Sequence, residues 1–192
     1  MPFVRIIGGS WRSRRIFFPE IPGLRPTQDR IRETLFNWLM PVIPETKCLD
    51  LFAGSGVLGW EALSRGAKHT CFVDKNRKVV QQLYNSAETL RTQKDQFEIF
   101  LTSDWNKLSL QAFAPFDIVF LDPPFHQNLL SKAVDWLIEN NLVHSGSLIY
   151  MEMEKDLELL LPRNWIVTRK QLTATLIYQL VRAEKGQILN CE

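Results

Sequence analysis

Two short stretches of the chain bring together residue types that do chemistry on a bound ligand. The first, residues 50–59, reads DLFAGSGVLG, and Gly54, Gly56 and Gly59 have the G-x-G-x-x-G spacing. Between a strand and a helix, that spacing permits a tight turn and a close approach of backbone to ligand. Asp74 follows Gly54 by 20 residues, at the end of the next apolar run. A carboxylate there can accept hydrogen bonds from both hydroxyls of a ribose. These features admit either NAD(P) or S-adenosylmethionine. Asp50 on the strand, with Phe52 and Ala53 at the bend, separates the two. A carboxylate repels a diphosphate and attracts the cationic groups of a sulfonium amino acid. The second stretch is Asp122-Pro123-Pro124-Phe125, directly after the apolar run IVFL. Two prolines make a stiff loop that fixes a carbonyl and an aromatic ring in place.

The elements that must position these residues are legible from periodicity. Short apolar runs at 48–52, 69–73, 97–100, 116–122 and 147–153 alternate with helical stretches near 57–65, 76–91 and 127–140. Nearly continuous apolar strands separated by helices imply a parallel sheet covered on both faces. Ligands of such sheets bind beyond the carboxyl ends of the strands, so Asp122 and the glycine loop must face one crevice. Segments 165–170 and 173–182 lack an intervening helix and predict an antiparallel hairpin at one sheet edge. Ahead of the sheet, FVRIIGGSWRSRRIFF (3–18) has two apolar runs about a Gly-Gly-Ser turn, which predicts a β-hairpin. Ile31, Leu35, Trp38 and Leu39 then recur at helical spacing between Thr27 and Met40, with Thr27 placed to cap the helix. The resulting division is a basic extension at 1–45, an α/β domain at 46–183 and a tail at 184–192.

The chain has 192 residues, of which 45% are hydrophobic and 23% charged, so it can bury a core without disulfide or metal staples. No apolar run reaches the length of a membrane span. Cys48, Cys71 and Cys191 are widely spaced and form no CxxC or Cys/His cluster, which leaves no expected metal site and points to a reducing cytoplasm. The net charge of +2 conceals an asymmetry. Residues 1–32 hold seven arginines and no lysine against two acids, Glu20 and Asp29. Arginine forks match phosphate oxygens and stack on bases, so Arg5, Arg12, Arg14, Arg15 and Arg30 are candidate nucleic-acid contacts.

Two resemblances extend this reading. The D-x-F-x-G-x-G pattern from Asp50 to Gly56 resembles the first motif of class I S-adenosylmethionine methyltransferases. Asp122 to Phe125 resembles the D/N-P-P-F/Y motif of amino-methyltransferases. An exocyclic amino group is a poor nucleophile because its lone pair is conjugated into the ring. Asp122 and the Pro123 carbonyl can each accept an N–H hydrogen bond, orient that lone pair and stabilise charge as it builds on nitrogen. Phe125 can stack on the base. The motif by itself serves adenine N6, guanine N2 or cytosine N4.

Four segments narrow the choice. RIIGGSWRSRRI (5–16), GLRPTQDRIRETLFN (23–37), CLDLFAGSGVLGWEALSRGA (48–67) and FLDPPF (120–125) resemble the RsmD family of bacterial 16S rRNA guanine-N2 methyltransferases. The resemblance runs from about Arg5 to Arg182. It implies a Rossmann-like class I methyltransferase fold with a mostly parallel seven-stranded sheet, an antiparallel terminal hairpin and an N-terminal β-hairpin extension. It further implies S-adenosylmethionine as donor. The implied acceptor is a guanine of the G966 class, in the small ribosomal subunit or a late assembly intermediate. In this family Asp104 sits where an acid or amide binds the adenine amino group, with Trp105 beside the ring. Arg25 and Thr27 lie near the methionine end, where a helix start favours its carboxylate. Lys75, grouped with the cofactor residues, follows the ribose acid where an apolar residue is common. His126 follows the motif where many relatives are basic. A cytoplasmic monomer is expected. A DNA adenine-N6 methyltransferase and a catalytically silent RNA-binding assembly protein are the competing readings.

Overall fold

The structure, a computed structural model, describes residues 1–22, 26–125 and 128–184. Arg25, His126 and the tail beyond Glu184, including Cys191, lie outside the described residues. Strands β1 (Phe3–Arg5) and β2 (Arg15–Phe17) form an antiparallel hairpin, and helix α1 (Asp29–Leu39) follows. The α/β part comprises β3 (Lys47–Asp50), α2 (Val57–Ser64), β4 (His69–Asp74), α3 (Arg77–Leu90) and β5 (Phe97–Leu101). It continues with β6 (Phe116–Leu121), α4 (Leu129–Glu139), β7 (Val143–Glu154), β8 (Trp165–Leu172) and β9 (Leu176–Ala183). The sheet order is β5-β4-β3-β6-β7-β9-β8. The first five strands are parallel, and β7–β9 and β8–β9 are antiparallel. This is the Rossmann-like arrangement expected from alternating strands and helices.

Strand parity decides which core each residue enters. Cys48, Phe72, Phe120 and Tyr150 face the layer that holds α1, α2 and α3. Their neighbours Leu49, Cys71, Val119 and Ile149 face the layer that holds α4. Every residue of α2 is buried, since the sheet covers one side and the N-terminal extension the other. Val4, Ile6, Ile16 and Phe18 of the extension join Leu35, Phe36, Trp60 and Phe72 in a single cluster. Burial pushes the Cys48 thiol up to about 12 and the Cys71 thiol up as well, so both act as packing residues.

The N-terminal hairpin has shorter strands than its apolar runs suggest: Ile6 still bonds Arg14 and Ser13 through the backbone, but residues 7–11 leave the ladder and dock on α2. Ile7 and Gly8 donate their N–H groups to the two oxygens of Glu61, at 2.8 and 2.7 Å. The Ser64 hydroxyl donates to the Gly8 carbonyl at 2.6 Å and accepts from the Trp11 N–H at 2.9 Å. At Gly9, φ is +76° and an added Cβ would stand 1.8 Å from the Ser64 carbonyl oxygen, so only glycine permits this approach. Arg32 is fully buried. It donates to the carbonyls of Arg5 (2.9 Å) and Thr27 (3.2 Å), pairs with Asp29 at 2.6 Å and lies 3.6 Å from Glu61.

Helix α1 starts later than Thr27. Gln28 occupies its N-cap position without a side-chain hydrogen bond. The Thr27 hydroxyl is committed elsewhere, as described next.

Candidate active site

Strand order reverses between β3 and β6: the chain builds β3, β4 and β5 outward in one direction, then returns to place β6 on the other side of β3. A crevice opens beyond the carboxyl ends at such a switch point. The glycine loop leaves β3 there, and Asp122 follows β6 directly. Asp50 is paired in register with Phe120, so the two motifs meet side by side.

The loop's shape follows from its residues. Gly54 and Gly56 both have positive φ, +52° and +73°. Gly56 is the N-cap of α2, and an added Cβ would meet the side chains of Leu83 and Trp60. Asp50 is buried, and its carboxylate accepts the Gly59 N–H at 3.1 Å, holding the first turn of α2 onto β3. Asp74 accepts the Gly54 N–H at 3.0 Å on one oxygen and the Asn76 N–H at 2.7 Å on the other. Asp74, expected to bind a ribose, therefore braces the loop and keeps further lone pairs for a ligand. Ala53 is buried, and its N–H donates to the Val73 carbonyl at 3.0 Å. Beside the loop, Phe52 meets Trp105 edge to face at 5.2 Å, and Trp105 in turn meets Trp136 at 6.2 Å. Both Phe52 and Trp105 are half-buried. Asp104, also half-buried, lies 3.4 Å from the Lys107 ammonium. Lys75 is exposed.

Asp122 is reached from the extension. The Thr27 hydroxyl donates to its Oδ2 at 3.1 Å. Thr27, expected as a helix cap and cofactor contact, thus holds the catalytic-motif carboxylate. Pro123 is buried, Pro124 is exposed and Phe125 presents a ring that is 40% exposed. The loop is therefore held at its start and displayed at its end.

The electrostatics of the crevice are acidic. Burial raises the Asp50 carboxyl well above its usual range; the Gly59 N–H opposes this, and the charges of Asp122 and Asp74 add to it. Asp74 is raised mainly by burial, against the Asn76 and Gly54 hydrogen bonds. Burial pushes Asp122 up to about 6, against the Thr27 hydrogen bond. Acids that repel one another are stabilised by a positively charged ligand. The cationic sulfonium and ammonium groups of S-adenosylmethionine fit this donor set, and a dinucleotide diphosphate does not. Asp117, by contrast, works locally: it accepts the Lys47 N–H at 2.8 Å and pairs with His144 at 3.0 Å. Among the described residues no group of His, Cys, Asp and Glu is arranged to hold a metal ion, and no helix is long and apolar enough to cross a membrane.

The arginines of the extension divide into two groups. Arg5, Arg12, Arg15 and Arg30 are exposed. Arg14, grouped with them on charge alone, turns inward and donates to the Leu90 (2.9 Å) and Thr89 carbonyls at the end of α3. It is a helix C-terminal anchor. Two aromatic residues escaped the sequence reading. Phe3 and Phe17 are paired across the hairpin, exposed, and 6.0 Å apart, with the Arg15 guanidinium 4.6 Å from the Phe3 ring. Glu152 and Tyr150 were also missed, although a glutamate inside the apolar run SLIYMEM is itself a signal.

Comparisons with known proteins agree with this geometry. Residues 4–182 match the family described as conserved hypothetical protein 95. The chain is 47% identical over 178 residues to the ribosomal RNA small subunit methyltransferase D of Haemophilus influenzae, covering 92% of each chain. It is 43% identical over 182 residues to the protein of that name from Escherichia coli K12, covering 94% of this chain and 90% of that one. Among solved structures, the methyltransferase candidate yhhF from Escherichia coli superposes with a TM-score of 0.85 at 42% identity, covering 95% of this chain and 99% of that one.

Proposed function

The chain belongs to the conserved hypothetical protein 95 family, the RsmD family, and is a methyltransferase; we propose that it methylates the exocyclic N2 of a guanine of the G966 class in 16S rRNA, with S-adenosylmethionine as donor. The proposed substrate form is the small subunit or a late assembly intermediate. The observation that carries this reading is the meeting of Asp122 with the glycine loop at the β3/β6 switch point, with Thr27 of the basic extension bonded to Asp122 at 3.1 Å.

Asp50, Gly54, Gly56 and Asp74 would hold the cofactor, with Phe52, Ala53, Asp104, Trp105 and Lys75 as further contacts; Arg25, expected to contact its carboxylate, lies outside the described residues. When bound, S-adenosylmethionine supplies a methyl carbon on a positively charged sulfur, which takes the bonding electron pair as the methyl leaves. The chain's task is to prepare the nucleophile. Asp122 and the Pro123 carbonyl each accept an N–H hydrogen bond from the target amino group, leaving its lone pair aimed at the methyl carbon. As positive charge builds on nitrogen, the Asp122 carboxylate stabilises it and then takes the displaced proton, passing it to solvent. Phe125 stacks on the base and Pro124 keeps its loop stiff. With its carboxyl raised only to about 6, Asp122 is largely ionised at neutral pH and able to accept.

RNA docking falls to Arg5, Arg12, Arg15 and Arg30, with Phe3 and Phe17 as a ring surface for unpaired bases. A base in a loop or flipped from its stack can enter the crevice. The test is incubation with labelled S-adenosylmethionine and unmethylated small subunits, with bare rRNA and duplex DNA in parallel and nucleoside mass spectrometry of each. N2-methylguanosine from the subunits is expected. N6-methyladenine in the DNA, or no label despite cofactor binding, overturns the reading.

A further inference from the structure

On the strand next to Asp122 lies a buried carboxyl that the reaction above does not use. Glu152, on β7, is 4% exposed. The Tyr150 hydroxyl donates to its Oε1 at 2.7 Å, and the Thr27 hydroxyl that bonds Asp122 acts on Glu152 too. Tyr150 and Glu152 alternate on the same face of β7, and Tyr178 of β9 is paired with Glu152 in register. From α1, the inward cation Arg32 is directed at Thr27, Arg5, Asp29 and Glu61. The groups acting on Glu152 are thus two hydroxyls and one carboxylate, with no cation among the described residues.

We infer that Glu152 is a positioning residue for methyl transfer, whose neutral carboxyl, held by Tyr150 and Thr27, keeps Asp122 ionised and aimed at the target amino group. Leu121 is paired with Met151 in register, so half-buried Asp122 and buried Glu152 follow side by side on neighbouring strands, and two carboxyls so placed resist double ionisation. Burial and then the Asp122 charge push Glu152 up to about 8, whereas Asp122 rises to about 6, so the pair holds one proton near neutrality and Glu152 carries it. Tyr150 is itself raised by burial and by Glu152, so it stays a donor. Above pH 8 Glu152 ionises, and its charge competes with Asp122 for Thr27. The inference rests on the amino-group reading of Asp122.

The test pairs single-turnover methylation with a titration of the cofactor-free protein. Wild type is expected to lose rate between pH 7 and 9. Glu152→Ala should lower kcat at pH 7 by tenfold or more with little change in KM for S-adenosylmethionine. Glu152→Gln, neutral at every pH, should restore the rate to within about threefold and abolish the alkaline loss. In carbon NMR of the side-chain carboxyls, the Asp122 signal should show an upper inflection in wild type that is absent in Glu152→Gln. An alkaline loss that persists in Glu152→Gln, a glutamine variant as slow as the alanine one, or an Asp122 signal without that inflection overturns the inference. Absence of methylated guanosine from wild type, with the inflection present, overturns the reaction assignment and leaves the carboxyl pair standing.

Discussion

Removing Glu61 is expected to release the N-terminal hairpin at a large cost in stability. Glu61 and Arg32 are both fully buried. One carboxylate accepts the N–H groups of Ile7 and Gly8, pairs with Arg65 at 2.8 Å and neutralises Arg32 at 3.6 Å. In Glu61→Ala, two amide donors lose their acceptor, each worth about 1–3 kcal/mol if left unsatisfied. Breaking a buried ion pair from one side costs about 3–5 kcal/mol. These contributions share atoms and do not add, so about 4 kcal/mol is expected. In a chain of this size, each kcal/mol lowers Tm by about 2–4 °C, which gives a fall of roughly 8–16 °C by calorimetry. Glu61→Gln should fall between, since its amide keeps one acceptor oxygen and turns a donor towards a second N–H. Limited proteolysis should cut faster within residues 6–14 in the alanine variant. A Tm within about 3 °C of wild type would refute the claim that this carboxylate pins the hairpin.

Asp122→Ala should lower kcat by about 100-fold or more with S-adenosylmethionine affinity nearly unchanged, because it removes an acceptor used as charge develops; calorimetric binding beside single-turnover kinetics checks both, and near-normal turnover defeats the role. Changing Arg12 and Arg15 together to Ala should weaken RNA binding and reduce its logarithmic salt slope by about 1–2, whereas Arg14→Ala should lower Tm and leave the slope nearly intact, since Arg14 caps α3. An equal loss of slope from Arg14→Ala would contradict its inward placement. The buried acids also set a pH dependence of folding. A carboxyl whose folded value is raised above its unfolded one stabilises fully below the unfolded value, and that stability is lost as pH rises through the folded value. For Glu152 the window runs from its ordinary 4.5 to about 8. Between pH 6 and 8 the cofactor-free protein should therefore lose roughly 2 kcal/mol, at no more than about 1.4 kcal/mol per pH unit for one proton. Urea unfolding at the two pH values measures this, and a Glu152→Gln variant that declines as steeply as wild type rules out Glu152 as the source.

What the sequence made legible was the local chemistry. The glycine spacing, the acid 20 residues on and the Asp-Pro-Pro-Phe loop each encode their own conformation, and alternating strands and helices imply the crevice that joins them. Side-chain direction was not legible. Seven arginines near the start read as one cationic block, yet Arg32 is buried and Arg14 is spent on carbonyls of α3. Composition counts charge without saying where it points. Thr27 read as a helix cap because Ser, Thr, Asp and Asn favour that position. The hydroxyl bonds Asp122 instead, 95 residues away, a contact that exists only once α1 has docked. Glu152 belongs to the same class: its meaning depends on β7 lying beside β6, which no local pattern specifies.

The extension and the catalytic loop are mechanically one assembly, and Arg32 is the joint. Its guanidinium holds the carbonyl of Arg5, at the end of β1, and the carbonyl of Thr27. Thr27 in turn holds Asp122 through its hydroxyl. The surface that carries Phe3, Arg5 and Arg15 is therefore linked to the acceptor carboxylate through one buried side chain and one hydroxyl. The Arg32 link is not free to relax, because burial leaves its guanidinium no water to exchange with. An extension fastened this way does more than add positive charge to a methyltransferase fold. It supplies a hydrogen bond to Asp122, so the proposed RNA-contacting residues and the proposed acceptor carboxylate are set in place by the same docking of the N-terminal segment.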